Sequence, residues 1–425
     1  MVLVIRRDKD HRIQWLDVII CLALILSPIL QQHKGFFVNG GWSALVIGLP
    51  FCLIRYLSLS WRGRKSVVVS FFLIMAYYGW TLFDHGFSSI SVFKIAILFV
   101  YYLAVTREDF SFRYVINIAS FIVLAACICV VAQYICNYLF HYRLQFLSVN
   151  TLLSEDSRWY SRISSVYYAG SFYRPSAFFL EPSHMFIFSF PVALYKLFSS
   201  EADKKSHTLG LIMLAGIVLS TSGMGIVFSG ACVYVFYTMY KNPHFRKGSL
   251  KNLLSLKAFL ILLFGVGIIV FLYYNVDLVY KAIVRIISEN ESGYNAIAGR
   301  TSAGVRLIRD LSGRQFIIGV TDAMGSLGSS LSGFQATLYK FGIIGIALSY
   351  LFYIYAFLNV SGNYRIMCLI LLVISFVCAH THNYFYMLYY SVFIFEGLKT
   401  HEYTAAIQPR QEYLQAAQAV TLDVR

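Results

Sequence analysis

The sequence predicts an all-α fold, a polytopic membrane helix bundle of about twelve transmembrane helices carrying two long outer loops with short helices. Three observations predict it. Of the 425 residues 58% are hydrophobic and 13% charged, with a mean hydropathy of +0.66, whereas a soluble domain carries about twice that charged fraction. Apolar runs of about 20 residues, the length that crosses a bilayer core, recur along the whole chain. The connections between them alternate between basic and non-basic, as the positive-inside rule requires. A disordered chain, a nucleic-acid-binding globule and a disulfide-stapled scaffold are excluded, because each needs a composition this chain lacks.

In order, the predicted spans are Trp15–Gln31, Trp42–Trp61, Val67–Phe83, Ile90–Val105, Val115–Leu139, His184–Phe198, Thr208–Leu219, Gly225–Tyr240, Ala258–Asn275, Thr337–Leu358, Ile366–Ala379 and Tyr384–Leu398. The first follows a basic start without a clear small-x-small cleavage pattern and reads as a retained anchor. Connections Arg6–Arg12, Arg62–Lys65, Arg107–Arg113, Lys204–His207 and Lys241–Lys257 are basic, and intervening short ones such as Asp84–Ser89 are not. Both termini are thereby expected in the cytoplasm. Residues 1–398 form a single integral membrane domain, and 399–425 a polar cytoplasmic tail. All eight cysteines lie within apolar runs, which argues against a disulfide framework or a zinc site. Arg55, Lys94, Lys340 and Glu396 lie near span ends, where snorkelling is the expected behaviour.

The two long loops, residues 140–183 and 276–336, fall on the same outer side, so the search for function narrows to them. The first contains Arg143, Arg158, Arg162 and Arg174 and ends in Arg174-Pro-Ser-Ala-Phe-Phe-Leu-Glu-Pro-Ser183. Pro182 suits the first turn of the sixth span, whose free N–H groups would attract an anion beside Arg174. In the competing reading Glu181 caps that helix and pairs with Arg174. The aromatics Tyr160, Tyr167, Tyr168, Phe172 and Tyr173 suit an interfacial belt or the faces of sugars. The second loop carries Lys281, Arg285, Arg300, Arg306, Arg309 and Arg314, against the positive-inside trend. Arginine on the side where it is normally depleted points to a phosphate-bearing ligand, with lipid headgroups as the alternative. Lys340 follows directly and is expected to reach the same anion. His380 and His382 end the eleventh span; no third ligand is in view, so a polar turn is preferred over a metal site, and His382 is suited to accept a hydroxyl proton. No Walker A motif is present, and the D-x-D at Asp8–Asp10 belongs to the basic start.

Four segments together resemble the O-antigen polymerase family within the O-antigen polymerase/ligase superfamily: Arg174–Ser183, Leu219-Ser-Thr-Ser-Gly-Met-Gly225, Gly299-Arg300 with Gly319-Val320, and Lys340-Phe-Gly-Ile-Ile-Gly345. The likeness spans about Ser171 to Tyr389. It departs at Gly223, where relatives often carry Arg, and at Thr321, where Gly is usual. The family implies an inner-membrane glycosyltransferase; with arginines to neutralise the leaving group, a metal-independent reaction without cofactor is expected. It joins polyprenyl-pyrophosphate-linked oligosaccharide repeats on the periplasmic side. By the same resemblance Arg174 and Arg300 match functionally important loop arginines, and their charge suits them to hold the leaving pyrophosphate, with Arg306, Arg309, Arg314 and Lys340 in support. Glu181 matches the loop carboxylate and is the first candidate for the base, His382 the second. Membrane lipids, a chain-length regulator and the flippase of the same pathway are the implied partners, and nucleic acid is not. Related ligases carry a His-Asn pair just before the tenth span, where this chain has Ser329-Ser-Leu-Ser-Gly-Phe-Gln335. Two alternatives stand beside polymerisation: an O-antigen ligase and, from another class, a lipid-linked oligosaccharide flippase.

Overall fold

Apolar helices dominate the protein because a backbone surrounded by hydrocarbon must satisfy its own polar groups. A computed structural model of the chain describes residues 11–56, 65–85, 88–147, 152–153, 173–199, 202–240, 274, 280, 304–320, 331–360 and 362–400. Among these the fold is all-helical and without strands, apart from an isolated bridge between His33 and Leu153. The helices are α1 (His11–Leu30), α2 (Gly40–Tyr56), α3 (Lys65–His85), α4 (Ser89–Thr106), α5 (Phe112–Leu139), α6 (Pro182–Phe198), α7 (Lys204–Leu219) and α8 (Gly223–Tyr240). They continue with α9 (304–309), α10 (Gly313–Ile318), α11 (Gly333–Asn359), α12 (Gly362–Val377), a 3₁₀ turn at Ala379–His382, and α13 (384–400). The ninth expected span apart from residue 274, Arg300 and the tail beyond residue 400 lie outside the described residues.

Helices α3, α4, α5 and α11 are long and apolar enough to cross a membrane, and α1, α2, α8 and α12 contain shorter apolar stretches. Along α5, Phe121, Ile128 and Ile135 recur every seven residues and are 74, 70 and 47% exposed. The opposite face, with Val115, Ala119, Val123, Ala126 and Val130, is buried. An apolar stripe exposed on one side of an apolar helix is what lipid contact calls for.

Two helices behave otherwise. In α6 and in α13 nearly every side chain is buried, whichever way it points. They lie against each other: the Tyr389 ring stacks on Phe188 at 4.9 Å, while the Tyr389 and Tyr390 hydroxyls donate to the Phe188 and Ile187 carbonyls at 3.1 and 2.9 Å. A helix buried all round belongs to the core of a bundle, and these two form its centre.

Helix α11 is bent. Gly342 adopts φ +64°, ψ −169°, inside what the sequence reads as one continuous span from Thr337 to Leu358. The segment Gly333–Phe341 folds back, so that Phe334 lies 6.4 Å from Tyr350 and 6.0 Å from Phe376, ring centre to ring centre. The expected tenth span is therefore two helical pieces. Carbonyls released by the break find new donors, Tyr339 from the Val320 amide at 2.8 Å and Phe341 from the Trp80 indole at 2.9 Å. Such a break is tolerated at membrane depth where neighbouring protein satisfies the freed groups.

At the opposite end of the bundle Arg55 does not snorkel. Its guanidinium reaches buried Asp17 at 3.2 Å and Asp109 at 3.6 Å, and the Tyr56 hydroxyl donates to Asp17 at 3.0 Å. Lys94 places its ammonium 5.7 Å from the centre of the Trp42 ring.

Candidate functional site

The site lies at the end of the bundle where α5, α7 and α12 finish and α6, α8 and α13 begin. The last turns of α5 contain Gln133, a polar side chain that burial would penalise unless every group were paired. Its amide nitrogen donates to the Leu144 and Ala177 carbonyls, both at 3.0 Å, and its oxygen accepts the Ala177 N–H at 2.8 Å. Ala177 is thereby held at φ +54°, and the run from Arg174 to Ser183 is fixed over the mouth of the bundle.

Arg174 points one N–H at the Thr221 carbonyl, at 3.5 Å. Thr221 occupies the tight turn between α7 and α8 with φ +57°, and the Ser222 hydroxyl accepts from the Gly225 amide at 3.3 Å. Two segments singled out in the sequence, Arg174–Ser183 and Leu219–Gly225, thus meet. Glu181 stands at the N-cap of α6, followed by Pro182 in the first turn, but its side chain makes no capping bond. Its carboxylate accepts the Ser183 hydroxyl at 2.7 Å and forms no ion pair with Arg174. The reading in which Glu181 caps the helix and neutralises Arg174 is therefore set aside.

One residue beyond Ser183, His184 faces His380 edge to face, 4.7 Å between ring centres. His382 follows in the same 3₁₀ turn. Its Nε2 lies 3.0 Å from the Ser375 carbonyl, one of the acceptors left over as α12 ends, and 3.3 Å from the Tyr350 hydroxyl, which itself donates to Ser375 at 3.1 Å. A carbonyl can only accept, so Nε2 carries the hydrogen and Nδ1 is bare. Nδ1 is buried without a partner among the described residues. Burial pushes the His382 pKa down to about 4, against the raising effect of the Ser375 carbonyl, so the ring is neutral at pH 7.

The second loop reaches the same end. Gly304 sits so close to Gln335, at the start of α11, that a Cβ there would meet the Gln335 amide carbon at 2.3 Å. Ser332 and Gln335 close a reciprocal capping box over this helix start, and Ser312 and Gln315 do the same for α10. Arg306, Arg309 and Arg314 are exposed to solvent. Gly319, at φ +95°, lies against the Lys340 carbonyl, and Gly342 against the Ile317 carbonyl, where a Cβ would come within 2.1 and 2.2 Å. The Gly319-Val320 and Lys340–Gly345 segments, the second pair singled out in the sequence, therefore meet backbone to backbone. Lys340 is half-buried beside the Phe341 ring and has no carboxylate partner among the described residues.

Sequence reasoning missed Gln133, Tyr350 and the Ser375 carbonyl. Gln133 was detectable in principle as an isolated amide in an apolar span, whereas Tyr350 carries no local signal in a chain with 32 tyrosines. Among the described residues no cluster of three or more His, Cys, Asp or Glu side chains is arranged to hold a metal. Compared with models of known families and with curated proteins, the chain matches none.

Proposed function

We propose that the protein polymerises polyprenyl-pyrophosphate-linked oligosaccharide repeats into O-antigen or a related surface polysaccharide. It would do so as a twelve-span enzyme of the bacterial inner membrane, with both termini cytoplasmic and both long loops periplasmic. One observation carries the reading. Arg174, Glu181, the Thr221 turn, the His380–His382 turn and the Gly319–Lys340 contact come from segments remote in sequence, yet all gather at one end of the bundle.

The reaction needs a neutralised pyrophosphate, a positioned acceptor hydroxyl and a base for its proton. Arg174 and Arg300, with Arg306, Arg309, Arg314 and Lys340, neutralise the pyrophosphate; fixed cations at growing negative charge contribute about 3–4 kcal/mol per lost donor in comparable electrostatic sites. The acceptor hydroxyl oxygen bonds to the anomeric carbon. The bond from that carbon to the phosphate oxygen breaks, and its electron pair leaves with the pyrophosphate. Glu181 is assigned the hydroxyl proton, with His382 as the second candidate. A direct displacement of this kind inverts the anomeric configuration and needs no metal.

Deletion of the gene in its host, followed by size analysis of the surface polysaccharide, tests the proposal. Single repeats on the outer-membrane lipid, restored to long chains by the wild-type gene but not by Arg174→Ala or Glu181→Gln, are expected. Polymer retained on the polyprenyl carrier would instead identify a ligase, and repeats trapped facing the cytoplasm a flippase. Arg300→Lys separates paired hydrogen bonding from simple charge, since lysine keeps the charge and loses the planar fork.

A further inference from the structure

Helix α10 is a short helix without an interior. None of its residues is buried, and Phe316 and Ile317 are 40 and 50% exposed. A capping box holds its first turn, but helices shorter than about 12 residues are marginal in water unless an apolar face is covered. Val305 on α9 is exposed as well. Among these apolar side chains stand Arg306, Arg309 and Arg314, all exposed. Asp310 is the one acidic residue between positions 304 and 320, so three arginines less one aspartate leave this stretch with a formal charge of +2.

Two sets of contacts fix the depth of this segment. The Trp80 indole, which donates to the Phe341 carbonyl, stacks on Phe83 at 5.6 Å, and Phe83 ends the apolar stretch of α3 that is long enough to cross a membrane. The bend at Gly342 therefore lies within about one helical turn of the membrane surface, the level that tryptophan favours. Exposed Ile343, Leu351, Ile354 and Leu358 fall on one face of α11 and form its lipid-facing stripe. Ile343 follows Gly342, and Gly342 packs on the Ile317 carbonyl, so the apolar side chains of α10 begin where that stripe ends. We propose that the stretch 304–320 is an interfacial anchor: Val305, Phe316 and Ile317 enter the edge of the acyl layer, while Arg306, Arg309 and Arg314 hold the phosphates of anionic phospholipids. The planar guanidinium fork matches phosphate oxygens, and the bilayer supplies the cover that α10 lacks from protein. The inference does not rest on the polymerase reading. Under that reading, the supporting part of these three arginines becomes that of drawing the carrier's pyrophosphate along the membrane plane, as one more lipid headgroup.

Hydrogen–deuterium exchange of the full-length protein tests the anchor, in nanodiscs of phosphatidylcholine alone or of phosphatidylcholine and phosphatidylglycerol in equal parts. Two net positive charges at an anionic surface, each worth a factor of about five, are expected to slow exchange of the 313–318 amides about thirty-fold in the anionic discs. In the Arg306→Gln, Arg309→Gln, Arg314→Gln triple variant the two compositions are expected to give equal exchange, with α6 and α13 peptides unchanged as the sign of an intact bundle. Phe316→Gln is expected to speed exchange of α10 in both compositions. Equal exchange of the wild-type protein in the two kinds of disc would overturn the proposal, and this comparison needs no variant to fold. Protection by inorganic pyrophosphate in phosphatidylcholine discs would also sink it, since the arginines would then take an anion from water. So would a lipid effect that survives the triple variant, which would place the headgroup contact elsewhere. None of these readouts requires polymer to be made, so failure of the polymerase reading and failure of the anchor are separately visible.

Discussion

Substituting Gly342 by alanine strikes the point where the two loop-borne segments are joined. The residue sits at φ +64°, ψ −169°, a region almost confined to glycine, where another residue pays about 1–3 kcal/mol. Its new Cβ would also come within 2.2 Å of the Ile317 carbonyl, a backbone atom with no rotamer to escape into. The 313–320 segment must then back away by about 1 Å, and the bond from the Val320 amide to the Tyr339 carbonyl, 2.8 Å long, is lost at a further cost of about 1 kcal/mol. The sum, about 2–4 kcal/mol, falls on detachment of this segment rather than on global unfolding, and every 1.4 kcal/mol is a factor of ten in population. Trypsin cleavage after exposed Arg314 should accelerate by about thirty- to seven-hundred-fold where opening precedes cleavage. Gly79→Ala is the control, because a Cβ there meets nothing within 4 Å and α3 gains helix propensity. Equal cleavage of the two variants would refute the close contact and the convergence built on it.

Three further perturbations follow from the same geometry. Gln133→Leu removes three hydrogen bonds and strands the Ala177 N–H; a loss of about 3 kcal/mol, read as a lower Tm together with loss of complementation, is expected. Arg55→Ala leaves Asp17 buried without its cation and should cost about 3–5 kcal/mol, whereas the Asp17→Asn, Arg55→Met double variant should cost less, as read by thermal unfolding. Trp80→Phe deprives the Phe341 carbonyl of its donor, and should loosen the bend by about 1 kcal/mol, visible as faster cleavage after Arg314 with little change in Tm.

Hydropathy and charge placement were enough to read a helical membrane protein, because both express what a bilayer demands of any chain. The helix start at Pro182 was legible for the same local reason. The bend at Gly342 was not: within Lys340-Phe-Gly-Ile-Ile-Gly345 a glycine that turns the chain and one that merely permits close packing look alike. The decisive difference is the Ile317 carbonyl, which arrives from a segment 25 residues away. Pairing Glu181 with Arg174 was the natural inference from their spacing, but the Glu181 carboxylate takes the Ser183 hydroxyl and the Arg174 guanidinium reaches toward the Thr221 carbonyl. His382 was found from its neighbours in sequence. The carbonyl and hydroxyl that fix its tautomer belong to α12 and α11, and contacts of that kind are written in no local pattern.

The placement of α13 bears on how the protein is made. Ribosomes deliver α1 to α12 first, and α6 among them must wait beside a gap that α13 will fill. Until Tyr389 and Tyr390 reach the carbonyls of α6, that central helix has only lipid or water where its partner should be. Assembly is thus governed by the last described helix to leave the ribosome. A chain truncated before residue 384 would insert and yet never close, leaving a half-built bundle for membrane proteases to recognise.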